Sequence, residues 1–390
     1  MEVGTEAAPR GGNGPLAGFT IVEMAGLGPV PLAGLMLSEL GARVVRVERI
    51  AGEQAFLNMP PQFDLDRHGR EIVRVDLKHA DGVGLVLRLI AGADALLEGF
   101  RPGVMERLGL GPDVALAANP GLVYARMTGF GQEGPLSRRA GHDLTYLALS
   151  GVLHAIGPAG GKPVPPLNLV ADYGGGTMFL VAGVLAALLE RARSGKGQVV
   201  DAAMVDGASM LAAPFFAFLA AGIWRDERGA NLLDSGAPFY DTYACADGRH
   251  IAVACLEPQF FSEFCRLLPL DGRFAGAQYD TALWSDMRDA IAARVKERAR
   301  DEWAALFEQT DACVAPVLSL AEAPAHPHNR ARGAHVAAGG LTRPAPAPRF
   351  SRTEGAPSFS ARRDPAATLA AFGIAEDEVR RLVSSGVLGG

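Results

Sequence analysis

Apolar positions in the first half of the chain follow two periods. Phe19–Met24 is a short β-type run and Arg43–Glu48 alternates as a strand, while Leu32–Leu40 between them carries helical spacing and stops at Gly41. Together these make a βαβ unit of about 30 residues. Val73–Leu77, Ala95–Leu97 and Leu122–Met127 predict further strands, separated by amphipathic stretches at Gly82–Ala91 and Val104–Leu108. Strands alternating with helices argue for a parallel, doubly wound sheet. From Asp172 to Arg193 the pattern becomes apolar all round, which predicts a buried helix ended by Ser194-Gly195-Lys196-Gly197. Gln198–Val200 then reads as a strand and Met204–Ala221 as a second apolar helix.

A different texture follows. Residues 223–238 are polar and Gly-rich, a crossing between domains, and Tyr240–Ala246 and His250–Ala254 flank Asp247-Gly248 as a hairpin suited to a type I′ turn. Helical runs at Pro258–Leu268, Trp284–Arg298 and Arg300–Glu308 complete a small α+β domain spanning 239–325. Residues 326–365, rich in Pro, Arg, Ala and His, read as an extended arm, and Ala375–Val383 as a short helix whose acidic start and basic end suit its dipole. The expected organisation is a tail over 1–14, a large domain over 15–222, a linker over 223–238, the small domain, and a return arm over 326–390 that completes the large one.

Composition narrows the classes. At 390 residues the chain is long enough for two or three domains of about 150 residues. With 49% hydrophobic and 21% charged residues, it has enough apolar surface to fold. Its 48 Gly and 26 Pro point to many turns and close backbone approaches. A net charge of −6 gives no general attraction for nucleic acid or an anionic membrane. Cys245, Cys255, Cys265 and Cys313 form no C-x-x-C, so they read as buried, reduced thiols rather than zinc or redox ligands. The apolar run Met178–Leu189 falls short of the roughly 20 residues a bilayer span needs, and the first residues lack the apolar core of a secretion signal. A cytoplasmic protein is expected.

Several residues are chemically suggestive. Gly26-Leu27-Gly28 follows the first strand and Glu48 ends the second, as in a dinucleotide fold, but Pro29-Val30-Pro31 replaces the third glycine of the fingerprint. Arg43, Arg46, Arg49, Arg101 and Arg107 gather near sheet ends, where guanidinium groups either grip phosphate or simply face solvent. His142 stands at a helix start, able to cap it or to work beside free backbone N–H groups. Asp172, between an apolar run and Gly174-Gly175-Gly176, is either an N-cap or a carboxylate with a task. Glu257 precedes a Pro-initiated helix and reads first as a capping acid.

At these residues the chain resembles the family III CoA-transferases, in their alpha-methylacyl-CoA racemase branch. The landmarks are Gly41–Glu48, Val75–Lys78, Glu98–Val104, Arg126–Gln132, Gly141-His142-Asp143, Asn168–Asp172, Ser194–Gln198 and Leu256–Phe260. The resemblance implies an α/β fold, with a Rossmann-like large domain and a smaller α+β domain, in an interlocked homodimer whose sites combine the large domain of one chain with the small domain of the other. It implies an acyl-CoA thioester substrate, no nucleic-acid or membrane partner, no metal and no separate cofactor. Carried across by position, His142 and Asp172 would be the two bases, the Asp143 N–H would meet the enolate oxygen, and Glu257 would poise His142. Arg49, Lys78, Arg101 and Arg107 would meet the CoA phosphates and adenine, while Gly99, Phe100 and the loop from Gly141 to Tyr146 would line the pantetheine path. The basic block that usually precedes Asp76-Leu77-Lys78 is replaced here by Asp66–Glu71, with acidic character. A CoA-transferase using Asp172 as nucleophile, a nicotinamide-dependent oxidoreductase and a CoA-binding protein without catalysis are the other readings.

Overall fold

Strands β1 (Thr20–Met24), β2 (Arg43–Glu48), β3 (Arg70–Arg74), β4 (Ala95–Glu98), β5 (Val123–Thr128) and β6 (Gln198–Ala203) form one sheet in the order 3-2-1-4-5-6. Every neighbouring pair is parallel, so both faces must be covered. The computed structural model describes residues 13–51, 59–362 and 364–389. Most of the predicted tail over 1–14 lies outside the described residues.

The crossover helices follow from the pattern: α1 (Pro29–Glu39), α2 (Ala80–Ala91), α3 (Val104–Arg107) and α4 (Pro112–Ala118), the last unforeseen in the sequence. One face of the sheet packs Val22, Val45, Val73, Leu96 and Tyr124 against Leu85, Leu89 and Ile90 of α2 and against Leu369, Val379 and Leu382 near the C-terminus. Two expected boundaries move. The first helix begins at Pro29 rather than Leu32, with proline at its first position. β3 runs over Arg70–Arg74 rather than Val73–Leu77, because its polar residues are neutralised inside: Arg70 binds Glu23 at 3.1 Å and Arg43 binds Glu71 at 2.6 Å.

That pairing corrects the reading of the early arginines. Arg46 is fully buried and ion-paired to Glu23 and Glu48, and Glu48 also accepts from Arg67 at 2.8 Å. Glu48 is therefore committed to ion pairs rather than standing free for a ribose, and Arg67, Arg70 and Glu71 of the Asp66–Glu71 segment are paired in the same network. Gly34 of α1 leaves room for it, since a Cβ there would stand 1.9 Å from Glu23 Oε2.

After α5 (Asp143–Leu149) and α6 (Val152–Ala155), Leu169–Thr177 forms a π-helical stretch continuous with α7 (Met178–Ser194), which ends at Gly195 with φ 74. The expectation of burial all round fails. Leu180, Val181, Val184, Ala187 and Leu188 are buried, whereas Met178 and Leu189 are 49% and 71% exposed. At 26 residues, Leu169–Ser194 also reaches bilayer-span length, which the shorter apolar run did not suggest. Here it packs on α1, β5, β6 and α8 (Met204–Leu211). The predicted helix Met204–Ala221 is two helices, α8 and Ala213–Ala220, broken ahead of Pro214.

The chain divides into two compact units, Met1–Ser150 with Leu167–Leu211 and Ala331–Gly390, and Gly151–Pro166 with Ala212–Arg330. The sequence boundaries at 222, 238 and 325 differ from this, and the excursion Gly151–Pro166 carries no hydrophobic period that would announce it. In the second unit, β7 (Tyr240–Ala244), β8 (His250–Ala254) and β9 (Val314–Pro316) form an antiparallel sheet. Helices at Pro258–Leu267, Gly272–Ala275, Trp284–Val295 and Arg300–Phe307 share a core with it around Phe239, Phe261, Phe264, Ile291 and Trp303. The hairpin turn is not type I′. Left-handed backbone occurs at Gly248 and not at Asp247, and Cys245 N–H donates to Arg249 C=O at 2.8 Å across a three-residue loop. Three cysteines are buried as expected, but Cys313 is exposed. The predicted arm over 326–365 contains a hairpin of its own, His335–Ala338 with Leu341–Pro344.

Candidate active site

Strand order reverses between β1 and β4, and in such sheets ligands bind outside the carboxyl ends of the strands at that point. The turn after β1 leads through Gly28, left-handed at φ 73, into α1. A Cβ on Gly28 would lie 3.6 Å from Asp172 Oδ2, so the first turn of the fold touches the predicted carboxylate. The turn after β4 carries Gly99 to Gly103. Gly99 faces α1, where a Cβ would meet Val30 Cγ2 at 3.0 Å, and Phe100 N–H donates to Glu98 Oε2 at 2.8 Å.

Asp172 lies inside the π-helical stretch, not at an N-cap; the cap position is Asn168. The wider turn is possible because Gly175 crosses Gly207 of α8 closely enough that a Cβ on Gly207 would stand 1.9 Å from the Gly175 carbonyl oxygen. π-turns are uncommon and cluster at functional sites. Asn168 Nδ2 donates to Asp172 Oδ2 at 3.1 Å, a contact the sequence reading missed although the four-residue spacing puts both residues on neighbouring turns. Burial raises the Asp172 pKa above the ordinary carboxylate range; the Asn168 bond opposes this, the Asp143 charge adds to it and His142 opposes it.

Asp143 joins the two halves of the site. Its Oδ2 accepts the N–H of Ala171 at 2.9 Å and of Asp172 at 2.8 Å, while Oδ1 is buried with no hydrogen-bond partner among the described residues. It is also the first residue of α5, and His142 immediately before it is the exposed N-cap residue, as the sequence suggested. The His142 N–H donates to Thr145 Oγ1 at 3.1 Å, which closes the cap and leaves the imidazole free of that duty. Gly141 makes room for Tyr146, whose ring also fills the space a Gly129 side chain would need and stands edge-on to Phe130 at 4.9 Å. Burial raises the Tyr146 pKa, Asp172 adds to this, and Arg101 opposes it. Arg101, Tyr146, Asp172, Asp143 and His142 therefore share one neighbourhood.

Arg49, Lys78, Arg101 and Arg107 are all exposed, and no carboxylate among the described residues pairs with them. Glu257 belongs to the second unit. It is the exposed N-cap residue of Pro258–Leu267 in extended conformation, but its side chain makes no capping bond. The simple capping role is thus absent.

Comparison with known proteins agrees with this architecture. The CoA-transferase family III model matches residues 16–367, and the chain belongs to that family. Among its relatives it is 44% identical over 381 residues to the alpha-methylacyl-CoA racemase of Mus musculus, covering 96% of this chain and 97% of the relative. The Homo sapiens protein of the same name is 41% identical over 382 residues, with the same coverage. A CAIB/BAIF family protein from Brucella suis superimposes with a TM-score of 0.80 at 28% identity, covering 93% of this chain and 100% of the other.

Proposed function

We propose that the protein is a racemase that interconverts the (2R) and (2S) forms of 2-methylacyl-CoA thioesters. The observation that carries this is the Asp143 tie: one buried carboxylate fixes the backbone of Asp172 while its own residue opens the helix capped by His142. A base on one face of C2 and an acid on the other are what a 1,1-proton transfer needs.

In one direction His142 takes the proton from C2, the C–H electron pair moves into the enolate, and protonated Asp172 returns a proton to the opposite face. The reverse direction exchanges the roles. Burial serves this chemistry, since a carboxyl of raised pKa holds a proton more readily and remains a competent base once it is lost. The developing enolate oxygen would accept the Asp143 N–H; one such donor is typically worth about 3 kcal/mol. The exposed cations Arg49, Lys78, Arg101 and Arg107 would hold the phosphates and adenine, Gly99 and Phe100 the thiol arm. No separate cofactor is needed.

The reading includes a cytoplasmic homodimer in which Glu257 of the partner chain approaches His142. Its support is the large apolar side chains Met178 and Leu189 of α7 and Met210 of α8, which stand exposed in the first unit, and the Glu257 side chain, which makes no capping bond. Incubating the protein with one epimer of a 2-methylacyl-CoA in deuterated water should label C2 and yield both epimers without an acceptor acid. CoA passing to a free carboxylate, without exchange at C2, would replace the reading with transfer through Asp172.

A further inference from the structure

A buried guanidinium, that of Arg126, braces the segment that carries the two loop arginines. Arg126 of β5 donates through Nε to Glu98 Oε1 at 2.8 Å, and through Nη1 and Nη2 to Glu106 at 2.8 and 3.3 Å. Its charge also sits 5.8 Å from the centre of the Tyr124 ring. Glu98 uses its other oxygen to accept the Phe100 N–H, one residue before Arg101. Glu106 lies on α3, one residue before Arg107. A single planar fork thus holds both ends of the Gly99–Arg107 segment. Arg101 and Arg107, its exposed cations, have no carboxylate partner among the described residues.

We infer that Arg126 is a positioning residue for CoA: it fixes the spacing of Arg101 and Arg107 so that both meet the phosphate-bearing end of the ligand. This rests on the acyl-CoA reading above. Lysine preserves the charge but not the fork, because an ammonium cannot make parallel in-plane bonds to two carboxylates. Glu106 offers a milder break, since its side chain is 43% exposed and its loss leaves the buried Glu98 pair intact.

The test is calorimetric binding of free CoA and of pantetheine, which lacks the nucleotide phosphates, with thermal melting as a check on folding. Arg126→Lys should weaken CoA binding about tenfold, the scale on which supporting groups usually act, and pantetheine binding markedly less, since only the Phe100 end of the segment faces the thiol arm. Glu106→Gln should give a smaller loss that disappears when Arg107 is already alanine. In turnover, KM for the CoA thioester should rise with little change in kcat, and KM for the pantetheine thioester should rise markedly less. Equal weakening of both ligands, or of neither, in a variant that melts as a folded protein would overturn the inference. If the wild-type protein itself binds pantetheine as tightly as CoA, the CoA reading fails, and the inference fails with it.

Discussion

Two polar clusters at the same sheet do opposite things with the same residue types. Across β1, β2 and β3, Glu23, Arg46, Glu48 and Arg70 are buried to within 1% and paired with one another. At the β1/β4 switch point, Asp172 is half-buried with Asn168 as its one side-chain partner among the described residues, His142 is exposed, and Arg101 has no carboxylate partner among them. The first cluster has spent its hydrogen bonds on itself. The second keeps valences open, and a group with open valences can bind or move a proton. Position near a sheet end therefore did not separate structural from functional arginines; the partner did.

The largest effect expected from this contrast is on stability. Arg46→Met leaves Glu23 and Glu48 without their central cation and should cost about 3–5 kcal/mol, read as a shift in the urea midpoint. A neutral outcome would erase the distinction between the clusters. Next, His142→Ala and Asp172→Asn should each slow C2 deuterium exchange by at least about 100-fold without lowering the urea midpoint. A smaller effect is expected from Arg101→Ala, which should raise KM for the CoA thioester about tenfold with kcat retained; an unchanged KM would move Arg101 to the idle surface.

The smallest effects are pH-dependent. Asp66, beside the first cluster, has its pKa pushed up to about 6, chiefly by burial, against an ordinary value of 3.8. The folded state then binds its proton more tightly than the unfolded one, so stability falls as pH rises from about 4 to 6. Asp66→Asn should raise the melting temperature at pH 7.5 and not at pH 3.5. Asp172→Asn should follow the same sign, because burial raises its pKa too; a loss of stability at neutral pH would show that Asp172 is held for structure.

Much of the first unit was legible. β2 at Arg43–Glu48 and the helix stop at Gly195 match their predicted places because alternation and a left-handed glycine are local signals. β3 was misplaced because its charged residues look like loop until their partners on β1 and β2 are known. The burial of α7 was misjudged for the converse reason: an apolar helix states that it wants cover, not which face receives it in one chain.

At the site, the residue types and the helix start at His142 could be read directly. The role of Asn168, the tie from Asp143 and the fork of Arg126 could not. Each joins segments distant in sequence, or depends on a π-turn that Gly175 and Gly207 permit by close approach.

Sequence alone determined the alternation of strands and helices, the failed third glycine of the dinucleotide loop and the cast of titratable residues, since these are local or compositional. Tertiary structure alone decided which charges cancel, which carboxylate shifts its pKa and which arginines remain free, because pairing and desolvation depend on what the folded chain brings within a few ångströms.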